Sequence, residues 1–464
     1  RKEPDYIARG ALAIGQPAAD RVLGGDTALS LRLGLAGGRL TLDDARLTNP
    51  QITATATGTL DTDLRRIALS ARLANLALLV PQFPGPLTVT GDLTDDGQGY
   101  AVDLRAQGPG GIDATATGRV AAGFGSAALA LRGTAQAGLA NPFLGARAVS
   151  GGVSFDLGLN GPLRLSSLTG PVRLTDGRLS DPGLPFALTG IAGTATLGGG
   201  AAQVQATAGV STRGQIGISG RVGLAAPNDG ALDVTLSGVV LRDPDLYRTT
   251  ADGTLRVTGP LTAGPLVTGR IVLGETDVQV PSASSVTGGI IADLRHVNEP
   301  ADVRATRARA GLTGAAGGTT GRGGATRLDV TVSAPNRVFL RGRGLDAELG
   351  GEVTLTGPLD AIRAAGGFDL IRGRLDILGR RLTLTAATLT FEGDLVPRIE
   401  VLASTEGDGV TASVAIEGRA DAPVVRFTSS PELPEEEVLA QLLFGQGIGN
   451  ISAFQAAELA AAVA

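Results

Sequence analysis

Hydrophobic and polar residues alternate along almost the whole chain with a period of two, the mark of β-strands that have one apolar and one wet face. In LDVTLSG (232–238), Leu232, Val234 and Leu236 are set against Asp233, Thr235 and Ser237. RLTLT (381–385), TLTFEG (388–393), VTASVAIEG (410–418) and VVRFTSS (424–430) repeat the arrangement. The polar positions are mostly Thr, Arg, Asp and Ser, which suit a solvated sheet face. One unit recurs at equal spacing: LGLNGPL (157–163), LRVTGPL (255–261) and VTLTGPL (353–359), with Gly161, Gly259 and Gly357 each 98 residues apart. A weaker echo, LTG (188–190), VTG (286–288) and LTA (384–386), keeps that period. Each unit predicts an alternating strand with Leu157/Leu159, Leu255/Val257 or Val353/Leu355 on one face. The strand stops where Gly-Pro supplies a permissive φ and removes a donor. The spacing predicts repetitive β architecture.

Asp96-Gly97, Asn160-Gly161, Asp176-Gly177, Asp229-Gly230 and Asp252-Gly253 read as tight hairpins. At roughly 11 residues per strand and turn, the chain predicts about 40 strands, and a continuous sheet of them would extend on the order of 190 Å. No linker or composition break interrupts the pattern before residue 428. In SSPELPEEEVLAQLLFG (429–445) the period becomes helical. Pro434 suits a first helical position, Glu435 to Glu437 complement the positive end of the dipole, and Val438, Leu439, Leu442 and Leu443 form one stripe. Gly445 ends the helix. A second helix is expected from Ser452, with Gln455 completing a capping box. The expected organisation is all-β: a continuous region over 1–428 built of repeated strand-turn units, then a helical cap over 429–464.

Composition changes what such a sheet can be. Aromatics are 3% of residues, Trp is absent and Gly numbers 70. Since large rings normally dominate core burial, the sheet either packs small aliphatics very regularly or leaves its apolar face unclosed. Lys2 is the only lysine against 39 arginines, a bias in keeping with a GC-rich genome that explains much of the Gly, Ala and Arg but not their phasing. The chain contains no Met and opens RKEPDY, so it reads as a piece cut from something longer. The expected second helix runs off the other end at AAELAAAVA. The apolar run LANLALLV (73–80) is far short of the roughly 18 residues that cross a bilayer.

The absence of Cys excludes disulfides and thiolate metal sites. A net charge of −5 argues against nucleic acid, which wants a basic face with stacking aromatics. Arg304, Arg307, Arg309, Arg322 and Arg327 gather around GLTGAAGGTTGRGG (311–324) and read as a solvated face, contact with anionic head groups being the other reading. The single histidine, His296, cannot build a cluster. There is no Gly-x-Ser-x-Gly elbow and no Gly-Lys pair for a phosphate loop. Gly342 to Ala347 formally fits a dinucleotide fingerprint, but a strand, GEVTLTG (351–357), follows where a helix is needed. Asp43/Asp44 and Asp95/Asp96 sit in turn-like segments with no second acid opposite. No enzyme activity, metal or cofactor is expected.

Three stretches carry a resemblance: SAPNRVFLRGRGLDAELGGEVTLTGPL (333–359), GGFDLIRGRLDILGRRLTLTAATLTFEGDLVPRIEVLAS (366–404) and above all SSPELPEEEVLAQLLFG (429–445), with weaker support from HVNEPADVRATRARAGL (296–312). They are similar to the C-terminal domain of the TamB family, related to AsmA-like, bridge-like lipid transfer proteins. The likeness is strong from about residue 280 onward and diffuse before it. The resemblance implies a long curled, U-shaped sheet with an aliphatic groove, crossing the periplasm of a Gram-negative bacterium. It implies a parent anchored in the inner membrane by an N-terminal helix and meeting a TamA-like outer-membrane barrel of the Omp85 class, both through segments not in this sequence. The family roles it implies are phospholipid transport between the membranes and support of outer-membrane protein assembly.

The alternation fits a groove for acyl chains. Exposing tails to water costs about 0.8 kcal/mol per CH₂, or roughly 12 kcal/mol for a 16-carbon chain, and a continuous apolar surface removes most of that barrier without chemistry. The expected lining is Leu232, Val234, Leu255, Val257, Val353, Leu355, Phe368, Leu370, Leu375, Ile377, Leu382, Leu384, Val414 and Ile416. Alternation alone does not separate an open groove from a filled core. Three readings therefore stand: a lipid-conducting groove, an assembly factor offering strand edges by β-augmentation, and a scaffold with a dry core.

Overall fold

The computed structural model describes residues 5–10, 27–36, 39–60, 65–95, 97–123, 125–280, 325–377, 380–407 and 409–452. His296, Arg304, Arg307, Arg309, Arg322, the VTG echo (286–288) and the second helix expected after Ser452 lie outside them. The chain divides into two compact units, Arg1–Leu236 and Ser237–Ala464. The division falls inside a strand, which is why no linker marks it in the sequence.

The first unit is an antiparallel meander. Its strands are β1 (Asp5–Gly10), β2 (Thr27–Ala36), β3 (Arg39–Thr48), β4 (Ile52–Leu60), β5 (Arg65–Leu73), β6 (Leu87–Asp95), β7 (Gly99–Gly108), β8 (Ile112–Ala121), β9 (Ser126–Gln136), β10 (Ala148–Pro162), β11 (Leu168–Ser180), β12 (Leu188–Gly198), β13 (Ala201–Val210) and β14 (Gln215–Gly223). Each pairs with the next from β1 through β14. β15 (Asp229–Asp243) carries the point of division. The second unit holds β16 (Tyr247–Pro260), β17 (Leu266–Leu273), β18 (Thr276–Gln279), β19 (Arg327–Gly342), β20 (Leu345–Pro358), β21 (Arg363–Ile377), β22 (Arg380–Glu392), β23 (Arg398–Gly407), β24 (Val410–Arg419), β25 (Ala422–Ser430) and helix α1 (Glu435–Phe444). From β19 to β25 it is again a meander. The exception is β19, which runs parallel to β17 and to β18. Parallel neighbours need a long return connection, which the chain makes between residues 280 and 327.

The repeated unit folds as its residues dictate. β10, β16 and β20 end at Pro162, Pro260 and Pro358, and the preceding Gly161, Gly259 and Gly357 take φ of +117°, +93° and +98°. The Asp-Gly dipeptides behave less uniformly. Gly97, with φ +83°, lies in a turn between β6 and β7. Asp176-Gly177 instead sits within β11 as a bulge where the register with β12 shifts, and Asp252-Gly253 lies inside β16. Glycine in a strand serves a bulge or a close backbone approach as readily as a hairpin. The described residues therefore form 25 strands, most of them longer than expected. Asp43 and Asp44 are likewise inside β3, at a register shift, and not in a turn. The dinucleotide-like Gly342 to Ala347 is a tight hairpin: Arg343 and Gly344, with φ of +51° and +83°, join β19 to β20.

The polar face is laced with exposed ion pairs. Arg341 meets Asp277 and Asp346, Arg374 meets Asp346 at 2.9 Å, and Arg381 meets Asp376 at 3.3 Å. Solvated pairs of this kind add little to stability; they keep this face wet. At the strand ends Arg419 bridges Asp394 and Asp421, at 2.9 and 3.1 Å. Its guanidinium holds both carboxyls below the ordinary aspartate range.

Two outcomes follow. Depressed carboxyl pKa values stabilise the fold above the unfolded-state range, and that contribution is lost as pH falls through the folded values. Carbon NMR titration should place the Asp394 and Asp421 midpoints below those of free aspartate, and Arg419→Gln should raise both. Separately, a Cβ at Gly366 would lie 2.3 Å from the Glu352 carbonyl oxygen, at φ +122°. Gly366→Ala should cost about 2 kcal/mol or more in chemical denaturation, and a cost under half of that would contradict the close approach.

Candidate functional site: the apolar face

Side chains two apart on a strand share a face, so the register of each ladder fixes which residues of different strands line up. In the second unit the pairings draw rows across the sheet. One runs Leu255, Gly269, Val330, Leu355, Ala364. The next runs Gly253, Ile271, Val332, Val353, Gly366, Phe391. Further along, Gly351, Phe368, Leu389 and Ile399 align, Leu349 pairs Leu370, and Leu345, Leu375 and Leu382 align. Leu384, Ala403, Val414 and Phe427 make another row, and Val401, Ile416 and Val425 the next. Eleven of the expected lining residues, from Leu255 to Ile416, thus share one face: Leu255, Val257, Val353, Leu355, Phe368, Leu370, Leu375, Leu382, Leu384, Val414 and Ile416. The side chain of Ile377 is outside the described residues. Leu232 and Val234 belong to the first unit, half-buried between exposed Asp233 and Thr235.

Burial along this face is graded but not smooth, since Val330, Val353 and Ala364 are buried in or next to the row of half-buried Leu255 and Leu355. Leu255, Val257 and Leu355 are only half-buried, and so are Phe368, Leu370 and Ile416. Leu382 is 1% exposed, Ala403 0% and Val414 3%, in one cluster with Leu349, Leu375 and Leu384. What closes that end is α1. It packs on β22, β24 and β25 and contributes Val438 and Leu442 to the cluster, while Leu439 and Ala440 pack against Phe427, Leu443, Phe444 and Ile451. The helix starts behind Pro434, carries Glu435, Glu436 and Glu437 in its first turn, and stops at Gly445 in the left-handed region, φ +71°, its N–H donated to the Gln441 carbonyl. Burial is broader than the expected stripe: it runs from Val438 to Leu442, takes in Ala440 and Gln441, and leaves Leu443 half-buried.

The first unit repeats the arrangement and has a smaller closure of its own, where Leu76, Phe83 and Leu139 from the connections pack with Ile52, Leu73, Leu87 and Ile112. Leu69, Gly91, Leu104, Ala116, Leu131 and Leu157 align across β5 to β10, and Phe155, Val172, Ala195, Val204 and Gly220 across β10 to β14, with Leu232 beside Gly220. Large side chains alternate with glycine or alanine. In β4 and β8 half-buried positions alternate with exposed ones and none is fully buried. Among the described residues no three His, Cys, Asp or Glu side chains gather where a metal could be held, and no helix is long and apolar enough to cross a membrane.

The model of the TamB C-terminal domain family matches residues 204–464, more than half the chain. The chain belongs to the TamB family. It is also 27% identical over 128 residues to the translocation and assembly module subunit TamB of Haemophilus influenzae, a stretch covering 26% of this chain and 10% of that protein. The family match takes in the whole graded face of the second unit, α1 included. What the sequence did not disclose is the share of small residues in it: Ala334, Ala347, Ala403 and Ala412 are all within 3% of full burial. Alanine carries little hydropathic signal, and only its ladder partners mark it as inward.

The gradient has a measurable consequence. Leu382→Ala should cost about 2–5 kcal/mol as a cavity in a closed cluster, whereas Leu255→Ala, half-buried, should cost about 1 kcal/mol. Equal costs in thermal or chemical unfolding would mean that the face is packed alike along its length.

Proposed function

We propose that this chain is the lipid-bearing part of a protein that transfers phospholipid from the inner to the outer membrane, with acyl chains lying along a hydrophobic groove formed by the apolar face. The proposed setting is the periplasm of a Gram-negative bacterium. There the parent is held in the inner membrane by an N-terminal anchor and meets a TamA-like Omp85-class barrel as part of the translocation and assembly module. The groove corresponds to 1–428 and its cap to 429–464, and transfer proceeds without catalysis, cofactor or nucleic acid.

The observation that supports this reading is the half-buried state of register-aligned aliphatics. Leu255, Val257 and Leu355 occupy core positions by pattern and by register, yet they keep contact with solvent. A long apolar surface left in water is unfavourable by roughly 25 cal/mol per Å², and a contiguous apolar face of this kind marks an interaction site. Acyl chains suit it because its lining is aliphatic and small, with few rings to create deep pockets. A second reading has its own support. β25 forms a ladder with β24 alone among the described residues, and it exposes Val424 and Val425 by 53% and 50%. Such an edge suits β-augmentation of an outer-membrane protein during its assembly.

Native mass spectrometry and lipid extraction of the protein purified from bacterial cells decide between them. Phospholipid should co-purify, and Leu255→Asp/Leu355→Asp should lose it while keeping the sheet. A lipid-free protein whose double variant unfolds would mean a closed core and move the assignment to assembly at the β25 edge.

A further inference from the structure

We infer that α1 is a displaceable occupant of the acyl-chain face: it lies where a chain would lie and must leave for lipid to reach the C-terminal rows. The inference rests on the lipid-groove reading above and adds a gate to it. Two observations carry it. The first is placement. Val438 and Leu442 stand on the same face, by cluster and by register, as the rows that begin half-open at Leu255 and Leu355, so the helix covers a continuation of that surface and not a separate core. The second is how the helix is fastened. Polar ties flank it on both sides. Before it, Ser429 Oγ accepts the Leu433 N–H at 3.0 Å and donates to the Pro431 carbonyl at 2.8 Å. After it, Glu437 Oε1 accepts the Ile448 N–H at 3.1 Å, and the Arg380 guanidinium from β22 lies against Gly445, so close that a Cβ there would come 2.2 Å from Nη2. An arginine at that end complements the negative pole of the helix. Between these ends the helix is held by apolar contact through Val438, Leu439 and Leu442, with Gln441 the polar residue buried among them. An acyl chain can replace such contact; it cannot replace a buried polar network.

The chain has no Trp, so one introduced ring reports its own surroundings. Phe427→Trp places it beneath the helix, where Phe427 packs against both clusters, and Leu355→Trp places it on the half-open stretch. The probe is phosphatidylcholine with brominated acyl chains, which quenches only rings in contact with a tail. Each reporter is read with α1 native, with Val438→Asp/Leu442→Asp, and with Gly445→Ala, which strains the helix stop without putting charge in the cluster. Circular dichroism confirms that the sheet is kept. With native α1, quenching at 355 should exceed that at 427 several-fold, and release of the helix should bring 427 close to 355. Quenching at 355 with none at 427 in both release variants would make α1 a fixed structural cap and overturn the inference. So would equal quenching at both positions with α1 in place. No quenching at 355 in any variant would instead sink the lipid reading, and the gate with it.

Discussion

A strand offers each side chain one of two faces, and the hydrogen-bonded ladder transmits that choice from strand to strand. Everything functional here depends on the transmission. Leu255 on β16 and Leu355 on β20 are a hundred residues apart in the chain, yet the pairings through Gly269 and Val330 put them in one row. A register slip of one residue anywhere between them would turn the remainder of the row to water. The bulges between Ala334 and Val338, and between Glu348 and Leu349, cost the ladder local pairs but restore parity, so Leu340, Ala347, Leu349 and Leu370 stay on the apolar side.

The large-small alternation along the rows has the same origin. Gly91 stands between Leu69 and Leu104, and Gly269 between Leu255 and Val330. At both glycines a Cβ would fall about 2 Å from a carbonyl oxygen of the neighbouring strand: 1.9 Å at Gly91 and 2.2 Å at Gly269. Neither position can carry a side chain without parting the strands. Leucine beside such a gap is left half-covered by its neighbours. Part of the half-buried state of the face is therefore built in by the same glycines that allow the backbones to approach, and the rest follows from how far α1 reaches along it.

Much of this is legible in the sequence. Period-two alternation puts Leu255, Val353, Leu382 and Val414 at like positions on their strands, and the ladders align them on one face, because parity is a local property. The Gly-Pro-Leu turns were legible for a second reason: the positive φ of Gly161 and the missing donor of Pro162 are both set by the residue itself. Asp176-Gly177 and Asp252-Gly253 were misread as hairpins, since the same dipeptide suits a bulge and only the partner strand decides. The parallel pairing of β17 with β19 joins residues on either side of a long connection, and no local pattern encodes it. The helix was visible in its caps and stripe. Its position on the apolar face was not, because a stripe says that a helix is covered and not what covers it.

The energies indicate why such a helix can serve as a stopper that lipid, and not water, removes. Val438, Leu439 and Leu442 are nearly fully buried, and re-exposing three such side chains costs roughly 5–8 kcal/mol. Water offers nothing in return, so the cluster of Leu382, Ala403 and Val414 stays covered. An arriving 16-carbon chain carries roughly 12 kcal/mol of its own aversion to water, enough to outweigh the helix contacts it displaces even after the loss of the weak ties at Ser429 and Glu437. The difference, roughly 4–7 kcal/mol, is of the same order as the helix contacts themselves. A face lined by larger rings, with more to lose at each exchange, would hold its first occupant more tightly.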